Sequence, residues 1–268
     1  PRMLDESTAE LVAHLSHPNG WWRDTAQKLI ILRKDRYSVI PALENLAKTS
    51  KDELEKIWST GRFDYLWIDL QHTAFTEPDL AAYCLAAESL GIDVQIRIPH
   101  TYHAYLVGRY LDFGASAALI PEVMEESTID DAIAYAYYGP IGRRSWGGFD
   151  RRGLRGAAKG MNRLEYAAWW NDYVVLGIQV ESVEAVTNIA KLAKPGISVV
   201  TFGPNDLSFS LDAHPHYPLR TVDDCMRSVA TQLKGSNIAL AMGTPSVPEQ
   251  RDQFLKMGIT LFQEDAPA

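Results

Sequence analysis

The stretch FDYLWIDLQH, residues 63–72, decides the fold of this chain. Its first half is an apolar, aromatic-rich run that suits a buried strand, and the run ends abruptly in Asp69, Gln71 and His72. A buried strand with polar residues only at its carboxyl end is typical of parallel α/β sheets, which gather their functional groups at that edge. The sequence therefore predicts that other strands bring polar residues to the same edge.

Short apolar runs alternate with helical patterns from residue 37 onward, which is the β/α rhythm of a parallel sheet. Strands are predicted at residues 63–69, 92–98, 116–120, 173–180, 198–203, 238–242 and 259–263. A closed (β/α)8 barrel needs one more strand, and the run YSVIPAL at 37–43 is the candidate, although Pro41 is unusual inside a strand. The sequence thus predicts an α/β protein in which residues 37–268 form a TIM barrel.

Residues 1–36 are predicted to form a separate helical segment. Ser7 and Thr8 can cap the helix TAELVAHL, and the stretch HPNG at 17–20 interrupts the helical pattern. Residues 8–48 also resemble a HEAT-like helical repeat unit, so 37–43 has two interpretations; a strand is favoured because an unclosed barrel would expose a long parallel edge. The last barrel helix is expected to be missing or disordered, because the sequence stops soon after the last predicted strand.

Composition narrows the class of protein. The chain has 268 residues and a formal net charge of -8, which argues against nucleic acid or an anionic membrane as the main partner. No window approaches a membrane-spanning helix and no signal-peptide pattern opens the sequence, so a cytoplasmic location is expected. Cys84 and Cys225 lie far apart in helical patterns, which predicts two small buried hydrophobic residues and no disulfide or zinc site.

Polar residues recur at the predicted strand ends. They are Asp69 and His72, Arg97, Glu122, Gln179 and Glu181, Asp206, and Thr244. Glu181 and Asp206 would be two hard oxygen ligands on neighbouring strands, which suits a divalent cation such as Mg²⁺ or Mn²⁺ shared with a chelating substrate. The alternative is that each carboxylate only favours the dipole of the helix that follows it.

Arg97 and His72 are predicted to handle charge and protons. Arg97 ends an apolar strand, where an unpaired guanidinium would be costly, so it is expected to meet Glu181 or a substrate carboxylate or enolate. His72 follows Asp69 by three residues, and that carboxylate could orient the imidazole as a proton acceptor. The Gly- and Arg-rich connection at 139–170 is weakly periodic, which predicts a functional or mobile loop.

The motifs FDYLWIDLQH, IRIP, ALIPEV, GPIGRRSWGG, QVES and FGPNDLS occur in the order and spacing of the HpcH/HpaI class II aldolases. The resemblance runs from about residue 52 to the end, and YYGPIGRRS is especially similar to the corresponding stretch of a fungal member, macrophomate synthase. It implies a 2-oxo acid (pyruvate or oxaloacetate) and an aldehyde as substrates, a divalent cation (Mg²⁺ or Mn²⁺, with Co²⁺ and Zn²⁺ as further options) and a homo-oligomer built from dimers, with a hexamer as one option.

The resemblance also implies roles for individual residues. The implied roles are metal binding for Glu181 and Asp206, substrate binding for Gln179, Asn205, Gly203 and Thr244, a place near the aldehyde for Arg144, stabilisation of the enolate for Arg97, and transfer of the 4-hydroxyl proton for Asp69 and His72. Gln71 departs from the pattern, because the family usually has Glu before this histidine.

The function predicted from these residues is that of a metal-dependent lyase that cleaves or forms 4-hydroxy-2-oxo acids. One alternative is a macrophomate-synthase-like enzyme that decarboxylates oxaloacetate and couples the enolate to another acceptor. The other alternative is an inactive barrel with a HEAT-like interaction segment. A Schiff-base mechanism is disfavoured, because no lysine falls at a predicted strand end.

Overall fold

A computed structural model describes residues 3–16, 22, 25, 26, 29, 30, 63–147, 153, 154, 156–245 and 247–264. These residues contain a seven-stranded parallel sheet whose spatial order follows the sequence order, and helices connect successive strands. This is the strand succession of a (β/α) barrel, so the predicted α/β TIM-barrel fold is confirmed. The predicted strand at 37–43 lies outside the described residues. No helix in the described ranges has both the length and the apolar character that crossing a membrane would require.

The strands are β1 Tyr65–Asp69, β2 Asp93–Arg97, β3 Ala117–Ile120, β4 Val175–Val180, β5 Val199–Phe202, β6 Ala239–Gly243 and β7 Ile259–Gln263. The helices are α1 Thr8–Ala13, α2 Glu77–Ser89, α3 Val107–Asp112, α4 Glu126–Ala136, α5 Arg163–Tyr173, α6 Val183–Leu192, α7 Pro204–Ala213, α8 Val222–Gln232 and α9 Pro248–Lys256. Short 3-10 helices cover Met3–Asp5, His14–Ser16 and Thr101–Leu106. All seven strands predicted between residues 63 and 263 are confirmed.

The register of the sheet separates polar from apolar side chains. Asp69 pairs with Arg97 across β1 and β2, whereas Ile68 pairs with Ile96. Side chains alternate between the two faces of a strand, and partners in register share a face. Ile68 and Ile96 are buried in the core cluster under the helices, so Asp69 and Arg97 point to the opposite, inner face of the barrel. The strands therefore direct their polar ends into the barrel mouth.

Helical spacing explains how the outer layer covers the sheet. Leu80 and Cys84 of α2 are four residues apart, and Val186 and Ile189 of α6 are three apart, so each pair lies on one helix face. All four are buried in the same core cluster. Cys84 and Cys225 are both buried and neither forms a disulfide, as the sequence predicts.

The connection at 139–170 is not a loop throughout. Helix α5 begins at Arg163, and Asn162 caps it by accepting the amide hydrogens of Leu164 and Glu165. Two fully buried side chains of this helix, Tyr166 and Trp170, are packed in the core. Its core-packed aromatic residues do share one face, but the sequence pattern is weak because that face consists of Tyr and Trp, which are less apolar than aliphatic residues, while Leu164 of the same helix lies exposed.

The amino-terminal helix begins where the sequence predicts. Ser7 caps α1 by accepting the Glu10 amide hydrogen, and the Glu10 carboxylate accepts the Ser7 amide hydrogen in return. Met3, Leu11 and Ala26 form a small cluster separate from the barrel core. The HEAT-like interpretation and the boundary between residues 36 and 37 stay predictions, because most of these residues lie outside the described ranges.

Candidate active site

We define the carboxyl-terminal rim as the carboxyl ends of the strands with the residues that directly follow them. At this rim Arg97 and Asp69 form a two-pronged pair: Arg97 Nε donates to Asp69 Oδ1 at 2.9 Å, and Nη2 donates to Oδ2 at 2.5 Å. Both side chains are only 12% exposed. Two parallel bonds fix the plane of the guanidinium, so Arg97 is oriented before any ligand arrives.

The remaining end of the guanidinium points across the barrel mouth. Arg97 Nη1 donates to Gln179 Oε1 at 3.4 Å, and its Cζ lies 5.4 Å from the centre of the Trp67 ring. The sequence predicts Glu181 or a substrate as the anion that meets Arg97; the anion in the structure is Asp69. The reason is the parallel register, which sets Asp69 and Arg97 side by side on the same face.

Glu181 is a buried carboxylate at the end of β4 and is 6% exposed. Burial raises the pKa of Glu181 to about 7; the Glu122 amide and the charge of Arg97 lower it, and the charges of Asp206 and Glu122 raise it further. Glu181 does not cap the next helix, because Ser182 does so by accepting the Ala185 amide hydrogen at 3.1 Å. A desolvated acid beside a second acid is a group that a cation would stabilise.

Glu122 is the second residue after β3 and contacts Glu181 through its backbone. Its amide donates to Glu181 Oε1 at 2.8 Å, and its carboxylate accepts from Gln71 Nε2 at 2.9 Å. Glu122 adopts the left-handed conformation with φ of 52°, which costs a residue with a side chain about 1–2 kcal/mol. The sequence places Glu122 at a strand end but does not reveal this contact; a polar residue within two positions of a strand end is the signal that could have found it.

Gly203 allows the ends of β4 and β5 to approach closely. A Cβ atom at this position would lie 2.8 Å from both Gln179 Nε2 and Glu181 Oε2, so a larger residue would displace the acid. Gly203 precedes α7, and Asn205 and Asp206 lie exposed in the first turn of that helix. The amides of a first helical turn lack carbonyl partners within the helix and favour an anion.

The predicted pairing of Asp69 with His72 through their side chains does not form. His72 is exposed, and Asp69 Oδ1 and Oδ2 are engaged by Arg97, with the Gln71 amide also donating to Oδ1 at 2.9 Å. Burial alone would raise the pKa of Asp69, but the hydrogen bonds from Arg97 and from backbone amides hold it below its usual value. Asp69 therefore orients Arg97, while His72 stays at the rim in contact with solvent.

Arg144 is not brought to the carboxyl-terminal rim. Its Nη2 donates to Asp112 Oδ1 at 2.6 Å, its Cζ lies 4.1 Å from the centre of the Trp170 ring, and its side chain is 2% exposed. Asp112 ends α3, and such helices run antiparallel to the strands, so this pair lies at the opposite end of the barrel. The predicted place of Arg144 near the aldehyde is therefore not found within this chain.

The described residues contain no cluster of three or more His, Cys, Asp and Glu side chains suited to a metal ion. Glu181 and Asp206 form a smaller pair, close enough for the charge of Asp206 to raise the pKa of Glu181. Two oxygen donors fit a hard cation that keeps most of its positions for water and substrate. Thr244, which follows β6 at the same rim, has a buried hydroxyl with no partner in the described part of the chain.

The raised pKa of Glu181 predicts how the stability of the metal-free protein changes with pH. The folded pKa of about 7 exceeds the ordinary 4.5, so the contribution of Glu181 to the free energy of unfolding is largest below pH 4.5 and is lost as the pH rises through 7. The expected loss is roughly 3 kcal/mol. Denaturant unfolding of the chelator-treated protein at pH 5 and pH 8 measures it, with Glu181→Gln as the control that removes the acid. An equal pH dependence in both proteins would contradict the prediction.

Comparison with known proteins shows the family of this chain. The family model described as HpcH/HpaI aldolase/citrate lyase matches residues 47–264. A 2-dehydro-3,6-dideoxy-6-sulfogluconate aldolase of Pseudomonas putida is 28% identical over 191 residues, which are 69% of this chain and 71% of that protein.

Two solved structures extend the likeness to the fold. An HpcH/HpaI aldolase from Desulfitobacterium hafniense DCB-2 matches with a TM-score of 0.69 and 27% identity, over 81% of this chain and 83% of that one. Macrophomate synthase matches with a TM-score of 0.66 and 24% identity, over 81% of this chain and 74% of that one, which is a likeness of fold alone. Because the family model spans all seven described strands, the chain belongs to the HpcH/HpaI aldolase/citrate lyase family.

Proposed function

We propose that this protein is a metal-dependent class II aldolase that cleaves or forms 4-hydroxy-2-oxo acids from a pyruvate-type 2-oxo acid and an aldehyde. One observation carries the proposal: Arg97, locked by Asp69, lies close enough to the buried Glu181 for its charge to lower the pKa of that acid. A fixed guanidinium beside a desolvated carboxylate suits a reaction in which negative charge develops on an enolate, because the donor needs no rearrangement.

Glu181 and Asp206 would hold the divalent cation, and their oxygen donors suit Mg²⁺ or Mn²⁺. When bound, the cation would supply Lewis-acid stabilisation of the enolate of the 2-oxo acid. The first-turn amides of Asn205 and Asp206 would bind the substrate carboxylate. Arg97 would donate to the enolate oxygen, and its bond to Gln179 keeps Nη1 aimed into the mouth of the barrel.

His72 is the group that we propose accepts the proton of the 4-hydroxyl. Its exposure at the rim allows exchange of that proton with solvent, and a neutral imidazole nitrogen can accept a proton. Gly203 leaves room for Gln179 and Glu181, because it has no side chain that would displace them. The Thr244 hydroxyl, which has no partner among the described residues, is available to a substrate oxygen. A homo-oligomer remains a prediction of the family resemblance.

The relatives favour aldol cleavage over the oxaloacetate alternative. The curated relative of Pseudomonas putida is an aldolase of a deoxy sugar acid, whereas the likeness to macrophomate synthase concerns only the fold. The inactive-barrel alternative is disfavoured on energetic grounds. Burial of Glu181 with a raised pKa and the strained backbone of Glu122 both reduce stability, and natural proteins keep such features at functional sites.

Exchange of the α-protons of pyruvate with deuterated water tests the proposal, because exchange requires the enolate but no aldehyde. We expect nuclear magnetic resonance to show at least tenfold faster exchange with Mn²⁺ or Mg²⁺ than after chelation. Glu181→Ala should raise the Kd for Mn²⁺ at least tenfold, whereas Glu184→Ala, which removes an exposed acid of α6, serves as the matched control. Absence of exchange in the presence of both metals would refute the proposed function.

A further inference from the structure

Glu122 is the one described non-glycine residue with a left-handed backbone. Strained conformations persist only where the neighbouring structure holds them, and they concentrate at functional sites. At Glu122 the conformation has a visible result: the amide of the residue turns to Glu181 Oε1 at 2.8 Å. The bond fixes the rotation of the Glu181 carboxylate and leaves Oε2 on the side of Gly203 and helix α7.

Residues that follow β1 and β2 hold the side chain of Glu122 in place. Gln71, after β1, donates from Nε2 to Glu122 Oε1 at 2.9 Å. His100, after β2, has its Nε2 3.6 Å from Glu122 Oε2. His100 Nδ1 accepts the Tyr102 amide hydrogen at 3.0 Å, so a neutral ring carries its proton on Nε2, facing Glu122.

Gln71 is held in turn by the residue that orients Arg97. Its amide donates to Asp69 Oδ1 at 2.9 Å, the same oxygen that accepts from Arg97 Nε. Contacts therefore run without a gap from Asp69 through Gln71 and Glu122 to Glu181. These contacts require an amide side chain at position 71. The Gln71 amide donates a hydrogen bond to the Glu122 carboxylate, whereas an ionised glutamate at this position would repel that carboxylate.

We propose that Gln71 and Glu122 are a matched donor–acceptor pair that positions Glu181 for cation binding. The proposal rests on the proposed function, since it concerns the cation that Glu181 and Asp206 would hold. Gln71 and Glu122 are positioning residues here: neither is among the residues proposed to hold the cation or the substrate, and both act through the amide of Glu122 on Glu181. Residues that support metal ligands in this way typically change metal affinity 10–100-fold when they are replaced.

Mn²⁺ titration followed by electron paramagnetic resonance tests the pair without any turnover. Gln71→Glu should raise the Kd for Mn²⁺ about tenfold, because the two carboxylates repel and the turn at Glu122 is released. Simple electrostatics predicts the opposite, since an added negative charge near the site would tighten cation binding. Glu122→Gln, which loses one charge but still accepts from Gln71, should weaken binding only about threefold.

The double variant Gln71→Glu/Glu122→Gln reverses the polarity of the hydrogen bond. It should restore the Kd for Mn²⁺ to within about threefold of the wild-type value, although each of its positions has changed. Glu125→Gln controls for the loss of charge. Glu125 lies three residues after Glu122, is exposed, and makes no cap hydrogen bond to the helix that follows it.

A second pair of variants separates the amide of Glu122 from its carboxylate. Glycine adopts a positive φ without strain, so Glu122→Gly should keep the Kd for Mn²⁺ within about threefold, whereas Glu122→Ala should raise it about tenfold. Thermal melts followed by circular dichroism establish that each variant is folded.

Two outcomes would overturn the positioning role. One is Mn²⁺ binding by Gln71→Glu that equals or exceeds the wild type; the other is an equal loss of affinity in Glu122→Gly and Glu122→Ala. If the wild-type protein itself fails to bind Mn²⁺ and to exchange pyruvate protons, the proposed function fails, and the positioning role falls with it.

Discussion

Replacement of Arg97 by alanine is expected to slow metal-dependent pyruvate proton exchange about 10³-fold. The guanidinium is fixed by two bonds to Asp69 and aimed at Gln179, so its loss removes a preorganised donor from the place where enolate charge develops. Removal of one such donor typically costs 10²–10³ in rate, and here a full positive charge is lost as well. Arg97→Lys keeps the positive charge but cannot form two parallel hydrogen bonds with Asp69, so the exchange rate is expected to fall about 10²-fold.

The arginine at position 109 provides a matched control for this experiment. Arg109 forms the same two-pronged contact with Glu77, Nε to Oε1 at 3.0 Å and Nη2 to Oε2 at 2.5 Å, but it lies exposed on the outer helices. Arg109→Ala should leave exchange unchanged. If Arg97→Ala, shown to be folded by circular dichroism, also exchanges pyruvate protons within threefold of the wild type, then Arg97 is a structural residue.

Replacement of Asp69 by asparagine should reduce both stability and enolate formation. The change leaves the mostly buried charge of Arg97 without a counter-ion, and breaking a buried pair in this way costs roughly 3–5 kcal/mol in the free energy of unfolding. The guanidinium would also lose its fixed plane, so pyruvate proton exchange should fall about 10²-fold. Denaturant unfolding and the exchange assay measure the two effects separately.

His72→Gln separates the two roles that have been considered for Asp69. Exchange of pyruvate protons does not involve the 4-hydroxyl, so His72→Gln should retain exchange and lose cleavage of 4-hydroxy-2-oxo acids about 10²-fold. Asp69→Asn should instead resemble Arg97→Ala, with both activities reduced. If Asp69→Asn loses cleavage but keeps exchange, the carboxylate acts through His72, as the sequence suggests, and the structural assignment to Arg97 is wrong.

The sequence predicted the barrel well because the relevant signals are local. Seven apolar runs separated by helical patterns mark the strands, and a polar residue directly after such a run is visible without tertiary information. Helix α5 was not predicted because its buried face consists of Tyr and Trp instead of aliphatic residues, whereas the apolar Leu164 of the same helix lies exposed. The sequence alone shows Gln71 only as a departure from the family pattern, because its partner Glu122 lies 51 residues further along the chain.

By itself, the sequence determined the order of the strands, the polar groups at their ends and the likeness to the family. Tertiary structure alone decided which groups meet. Because of the parallel register, the Asp69 carboxylate binds Arg97 and not His72. The left-handed backbone of Glu122 directs its amide hydrogen to Glu181. The antiparallel run of the helices sent Arg144 to the far end of the barrel. The physical reason is the distance along the chain over which each feature is determined. The apolar period and the polarity of a strand end depend on about ten consecutive residues, whereas register and packing depend on contacts between distant parts of the chain.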